Sequence, residues 1–124
     1  MKFLIALVLL GLTVMGLAQP MAAKASAADV KKLQTLEKNY NVAKAALVKK
    51  PKDAAVKKAF VKSAVLFGHE SMISPVLPAR IKYRQALRIY REALKLDPKN
   101  KVAKTESDLI IKIYKDMGRP VPDN

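Results

Sequence analysis

From residue 29 onward, apolar residues recur at helical spacing in four blocks separated by short stretches rich in helix breakers. In the first block, Leu33, Leu36, Tyr40, Ala43 and Leu47 alternate at spacings of three and four, which puts them on one stripe of an amphipathic helix. The spacing predicts a helix over 30–49, with Asp29 as N-cap and Pro51 as its stop. The second block, Val56, Ala59, Phe60, Ala64 and Phe67, predicts a helix over 54–72 opened by Asp53 and weakened at its end by Gly68. The third carries Tyr83, Ala86, Leu87, Tyr90, Ala93 and Leu94 and predicts a helix over 79–96. Asp97-Pro98 ends it, because proline disfavours helical geometry in the residue before it. The fourth, with Val102, Leu109, Ile110, Ile113, Tyr114 and Met117, predicts a helix over 101–117. Asn100 is placed to cap its start, and Gly118 followed by Pro120 to end it. The third block has the cleanest pattern, and the others are expected to pack on it.

Two stretches fall outside this pattern. Met1-Lys2 is followed by an apolar run, Phe3 to Ala18, and then by the small residues Ala22-Ala23-Lys24-Ala25-Ser26-Ala27-Ala28. That order is the layout of a secretory signal peptide over 1–27, with cleavage after Ala25 or Ala27. The run is shorter than the roughly 20 residues a membrane span requires. Removing 27 residues from 124 leaves 97, and losing Lys2 and Lys24 lowers the formal charge from +14 to +12. The second stretch is Ser71 to Pro78. Pro75 and Pro78 bias Ser74 and Leu77 to extended backbone, and Met72, Ile73, Val76 and Leu77 are expected to fold back over the core.

The residues Ala86, Tyr90, Ala93 and Pro98 are small, aromatic, small and proline at the spacings of the second half of a tetratricopeptide repeat, and the third block resembles that family. A weak internal repeat points the same way: Ala46 to Asp53 lines up with Ala93 to Asn100 at an offset of 47 residues. The repeat length of the family is about 34, so the stretch 71–78 reads as an insertion. The resemblance implies an all-α fold over 28–124, with four antiparallel helices forming about one and a half to two helix-turn-helix units. Ala86 and Ala93 would be close helix contacts, with Tyr90 filling the groove between helices. The family holds peptides or partner helices on its helix faces, so a protein or peptide partner is implied. A chain this short has few units for a repeat array, and dimerisation would be one way to bury more surface.

Charge and chemistry narrow the function classes. The chain has 24 Lys and Arg against 10 Asp and Glu, a balance that favours anionic partners or serves solubility alone. Cysteine is absent, so thiolate metal sites, disulfides and a cysteine nucleophile are excluded. His69 is the only histidine and lacks a second histidine four residues on, where Ile73 stands. Its expected place is a helix end, where its charge suits the helix dipole. No set of catalytic roles can be assembled, and no cofactor or metal is expected. Arg80, Arg84, Arg88, Arg91 and Lys95 follow one another at +4, +4, +3 and +4, a single stripe on the third helix. Arginine forks suit carboxylates and phosphates, so the stripe is a candidate site for an acidic peptide, an anionic lipid headgroup or a polyanion. The other reading is a solvated flank in which Glu92 pairs with Arg88 or Lys95. Nucleic acid is disfavoured by the export signal and by few aromatics for stacking.

The sequence thus leads to an expectation of a non-enzymatic, periplasmic or secreted helical module that mediates protein–protein or peptide interaction. Its alternative is a basic envelope protein that contacts anionic polymer or lipid headgroups through diffuse charge.

Overall fold

The computed structural model describes residues 24–123 and is all-α, with four helices joined by short turns. The apolar run 3–18 lies outside the described residues. Helix α1 spans Ala27–Lys49, α2 Ala54–Ile73, α3 Ala79–Leu96 and α4 Lys101–Asp116. Helix α1 packs on α2, α2 on α3, and α4 on α3 with a small contact to α2, so successive helices run antiparallel.

The caps explain the boundaries. Helix α1 begins three residues before the predicted start, because Ser26 rather than Asp29 is its N-cap. The Asp29 N–H donates to Ser26 Oγ at 3.1 Å, and the Asp29 carboxylate accepts from the Ser26 N–H at 2.9 Å. This reciprocal capping box satisfies two of the free amide hydrogens of the first turn. It also holds the exposed Asp29 carboxyl below its usual range, through the backbone and side-chain hydrogen bonds of Ser26. Asp53 caps α2 by accepting from the Val56 N–H at 3.0 Å, and Asn100 caps α4 by accepting from the Ala103 N–H at 3.0 Å.

The core centres on α3. Leu87, Ile89 and Tyr90 are fully buried, as are Ala86 and Ala93. Ile89 lies outside the stripe read from the sequence and is buried because α3 has neighbours on two sides. On α4 the buried positions are Ala103, Ser107 and Ile110, whereas Val102, Leu109 and Met117 are exposed. Ala59 on α2 is also exposed. Helix α2 runs through Met72 and Ile73, which the sequence reading placed in the loop; Met72 and, in the loop, Val76 and Leu77 pack against the core, and Ile73 does not, being 52% exposed. Ser71 anchors that end of α2: its hydroxyl donates to the Phe67 carbonyl at 2.7 Å and accepts from Gln85 Nε2 of α3 at 3.0 Å.

Helices α2 and α3 make a close contact at Gly68. A Cβ built there would lie 2.8 Å from Cε1 of the Tyr90 ring, so the ring occupies space that a side chain at residue 68 would need. Two phenol–carboxylate bonds then tie the outer helices to α3. The Tyr40 hydroxyl of α1 donates to Glu92 at 2.6 Å, and the Tyr90 hydroxyl donates to Glu106 of α4. Glu106 also meets His69 Nδ1 at 2.7 Å, so the lone histidine stands in the last turns of α2 against a carboxylate of α4. Lys32 pairs with the nearly buried Glu70 at 2.9 Å and fastens α1 to α2.

Two predictions follow from this packing. Gly68→Ala and Ala93→Leu each overfill a closed contact, and each is expected to destabilise the fold by about 1–3 kcal/mol in thermal or urea denaturation. For pH, burial and the bonds to Glu92 and Glu106 raise both the Tyr40 and the Tyr90 phenol above the ordinary tyrosine value. A raised native value means that the unfolded chain loses these protons first. Their stabilisation is therefore complete below pH about 10 and falls as pH rises beyond it. Denaturation midpoints measured from pH 8 to 11 should fall in the wild type, and more shallowly in Tyr40→Phe.

Candidate functional site

Helix α3 presents its polar flank opposite the core contact, and the arginines at 80, 84, 88 and 91 project from it. They line one cleft of about 410 Å³ together with Leu87 and Gln85 of the same helix and with Pro122 and Asp123. The last two residues reach the cleft because the chain reverses after α4. Gly118 has φ 65, in the left-handed region open to glycine, and follows the C-cap Met117. Its N–H donates to the Lys115 carbonyl at 3.0 Å, and the Arg119 N–H donates to the Tyr114 carbonyl at 3.0 Å. That pair of bonds is a Schellman motif, and it sends the terminal segment back along α3. Val121 packs against the core, and the Pro122 carbonyl accepts from Arg91 Nη1 at 2.7 Å.

The reversal also brings Arg119 to the site. A second depression of about 630 Å³ shares Arg80, Arg84 and Pro122 with the first and adds Arg119, Tyr83, Tyr114 and Met117. All five arginines of the chain therefore border one continuous surface, divided by Pro122. Arg119 was not part of the sequence stripe. It lies beyond the helical periodicity, and only the glycine after α4 hints at the turn that carries it.

The five positions of the stripe do not act as one set. Arg80 and Arg84 form no ion pair among the described residues. Arg88 Nη1 pairs with Glu92 at 3.0 Å, four residues on, as the solvated-flank reading expected of that pair. Glu92 also accepts from Tyr40 and pairs with Lys44 at 3.4 Å, so it is a tie between α1 and α3 as well as a partner of Arg88. Lys95 stands apart from the arginines. It borders a different depression, with Leu47, Val48 and Phe60, at the far end of a stripe roughly 22 Å long by helical rise.

Chemically, the arginine surface offers fixed positive charge, hydrogen-bond donors and an aromatic floor. Among the described residues there is no group of three or more histidines or acids arranged to hold a metal ion. Among the described residues no carboxylate pair or nucleophile lines the cleft, and the acid there is Asp123. What the site can do is hold an anionic group against an apolar surface, with Arg80 and Arg84 as the available forks.

No family model, curated protein or solved structure matches the chain.

Proposed function

We propose that the protein is a non-enzymatic binding module, exported and tetratricopeptide-like, that takes an acidic segment of a protein partner in the arginine cleft. The observation that carries this reading is the convergence of all five arginines on one surface, with Arg80, Arg84 and Arg119 free of ion pairs among the described residues. Chance solvation of a helix flank does not account for Arg119, which reaches that surface only through the chain reversal at Gly118. A polypeptide is favoured over a structureless polyanion because the cleft already accepts one. Its own segment 120–123 lies there without regular structure, its carbonyl on Arg91 and an aspartate at the rim. The repeat likeness is supported by the full burial of Ala86 and Ala93 and by the seat that Gly68 makes for the Tyr90 ring. Small residues at such positions are what let two helices of a repeat approach.

Export is part of the proposal. The capping box distinguishes the two cleavage sites: cleavage after Ala25 leaves Ser26 and its bonds to Asp29, while cleavage after Ala27 deletes the cap. Loss of an N-cap serine costs about 1 kcal/mol. N-terminal sequencing of the protein recovered from an expressing cell's periplasm or medium should therefore read Ser26 first. Recovery with Met1 intact would contradict export with cleavage.

The binding reading is tested by fluorescence anisotropy with a labelled peptide of alternating glutamate and valine. The expected result is saturable binding that persists at high salt and weakens by about ten-fold or more in Arg80→Glu/Arg84→Glu, as charge reversal at paired sites should produce. Binding that collapses with added salt and is equally sensitive to any lysine reversal would instead indicate diffuse surface charge.

A further inference from the structure

A second surface, remote from Arg80 and Arg119, has a different chemistry. Because successive helices are antiparallel, the turn 50–53 and the turn 97–100 lie at the same end of the bundle. The end of α1, the start of α2 and the end of α3 meet there in two open depressions joined at Leu96. One, of about 630 Å³, has Val61, Val65 and Leu66 beside Leu96 and is edged by Lys57, Lys58 and Lys62. The other, of about 270 Å³, has Leu47, Val48 and Phe60 beside Leu96 and is edged by Lys44 and Lys95. Val48 is 77% exposed, Leu66 48% and Leu96 36%, while Phe60 and Val61 between them are buried.

The charges around this strip are unbalanced. Lys57, Lys58, Lys62 and Lys95 form no ion pair among the described residues. The bordering carboxylates are already engaged: Glu92 by Tyr40, Lys44 and Arg88, and Asp97 by Asn100 Nδ2 at 3.3 Å. Lys50 and Lys52 in one turn, and Lys99 in the other, add exposed cations at the same end. The cations here are all lysines, since the arginines lie at the other site. A lysine is a mobile point charge whose stem can cover apolar surface while its ammonium moves outward. That suits a fluid layer of anionic groups rather than a ligand of fixed shape. The apolar residues, moreover, come from three helices with lysines around them, instead of forming two walls that would grip a single partner helix.

We propose that this end of the bundle docks on an anionic lipid membrane, with Val48 and Leu96 entering the interfacial layer and the surrounding lysines meeting the headgroup phosphates. The proposal is independent of the arginine cleft, whose Arg80 and Arg119 stand at the other end of the bundle. It differs from adhesion by overall charge in requiring the apolar strip as well as local lysines. No helix among the described residues is long and apolar enough to cross a membrane, so the contact is with the surface.

The test is sedimentation of the full chain with vesicles of phosphatidylcholine alone and of phosphatidylcholine with phosphatidylglycerol. The readout is the difference between the two, because the leader is the same in every variant. The wild type should partition preferentially to the anionic vesicles. Lys57→Glu/Lys58→Glu should lower that preference by about ten-fold or more. Val48→Ser/Leu96→Ser should lower it by at least roughly three-fold with charge unchanged. Arg80→Glu/Arg84→Glu, with the same change in net charge as the lysine pair, should stay within about two-fold of the wild type. Circular dichroism of each variant checks that it is folded. Equal loss in the lysine and arginine variants, or no effect of the serine changes, would overturn the proposal in favour of overall charge. Absence of any anionic preference would overturn it outright, as would blockade by an acidic amphipathic helical peptide at micromolar concentration, which would identify a protein partner instead.

Discussion

The contact between Tyr90 and Gly68 sets the geometry of this protein. Tyr90 is fully buried, and its ring stands where a Cβ on residue 68 would be. Interiors are packed to crystal-like density, so a helix pair fixed at short range leaves little freedom for what packs beside it. The small residues Ala86 and Ala93 fit that arrangement, because larger side chains on the same face would hold α3 away. Glycine in the last third of α2 is unfavourable for an isolated helix, by about 1 kcal/mol relative to alanine. The burial of an aromatic side chain against it outweighs that amount.

From this centre the outer helices are attached by one device used twice. A phenol donates to a carboxylate, Tyr40 to Glu92 for α1 and Tyr90 to Glu106 for α4. Charged acceptors make such bonds stronger than neutral ones, and they require a defined angle between helices in a way that apolar contact does not. The second of them grows directly from the first contact: the ring seated on Gly68 carries the hydroxyl that reaches α4. His69, next in sequence to Gly68, meets the same Glu106 from α2. One carboxylate therefore receives groups from both helices of the central pair, and the lone histidine has a structural partner rather than a place in the arginine cleft.

The helices were legible in the sequence because apolar spacing and proline stops agreed with one another, and at two of the four starts an Asp or Asn cap agreed with them. The first start was misread because Asp29 is as good a cap as Ser26, and only the reciprocal bond between them tells which is which. On α4, hydrophobicity pointed to Val102, Leu109 and Met117, yet the buried face carries Ala103 and Ser107. A small residue at a close helix contact contributes little to a hydrophobic pattern, so the pattern is weakest where packing is tightest. The arginine stripe was legible as far as Arg91 because helical periodicity governs it. Lys95 kept the period but left the site, since spacing fixes the face of a helix and not how far along it a cleft extends. Arg119 was illegible for the opposite reason: its position depends on a chain reversal and on what the reversed segment touches.

The separation of arginine from lysine is the feature that joins these observations. Both residues would serve equally to make a protein basic, and a sequence selected for charge alone has no reason to sort them. Here the arginines border a cleft shaped by a helix, two tyrosines and a returning chain segment, where a planar fork gains from fixed geometry. Lys44, Lys57, Lys58, Lys62 and Lys95 border an open apolar strip, where a flexible cation loses nothing by lacking one, although Lys82 stands over Tyr83 at the arginine surface. Arg80 stands at the start of α3 and Arg119 just beyond the end of α4, whereas Leu96 and Asn100 stand at the opposite ends of those helices. An antiparallel bundle with short connections at both ends necessarily has two such poles. Attaching it by the lysine pole would hold the arginine cleft out toward a partner, and the rigid axis between them is the helix that Gly68 and Tyr90 lock in place.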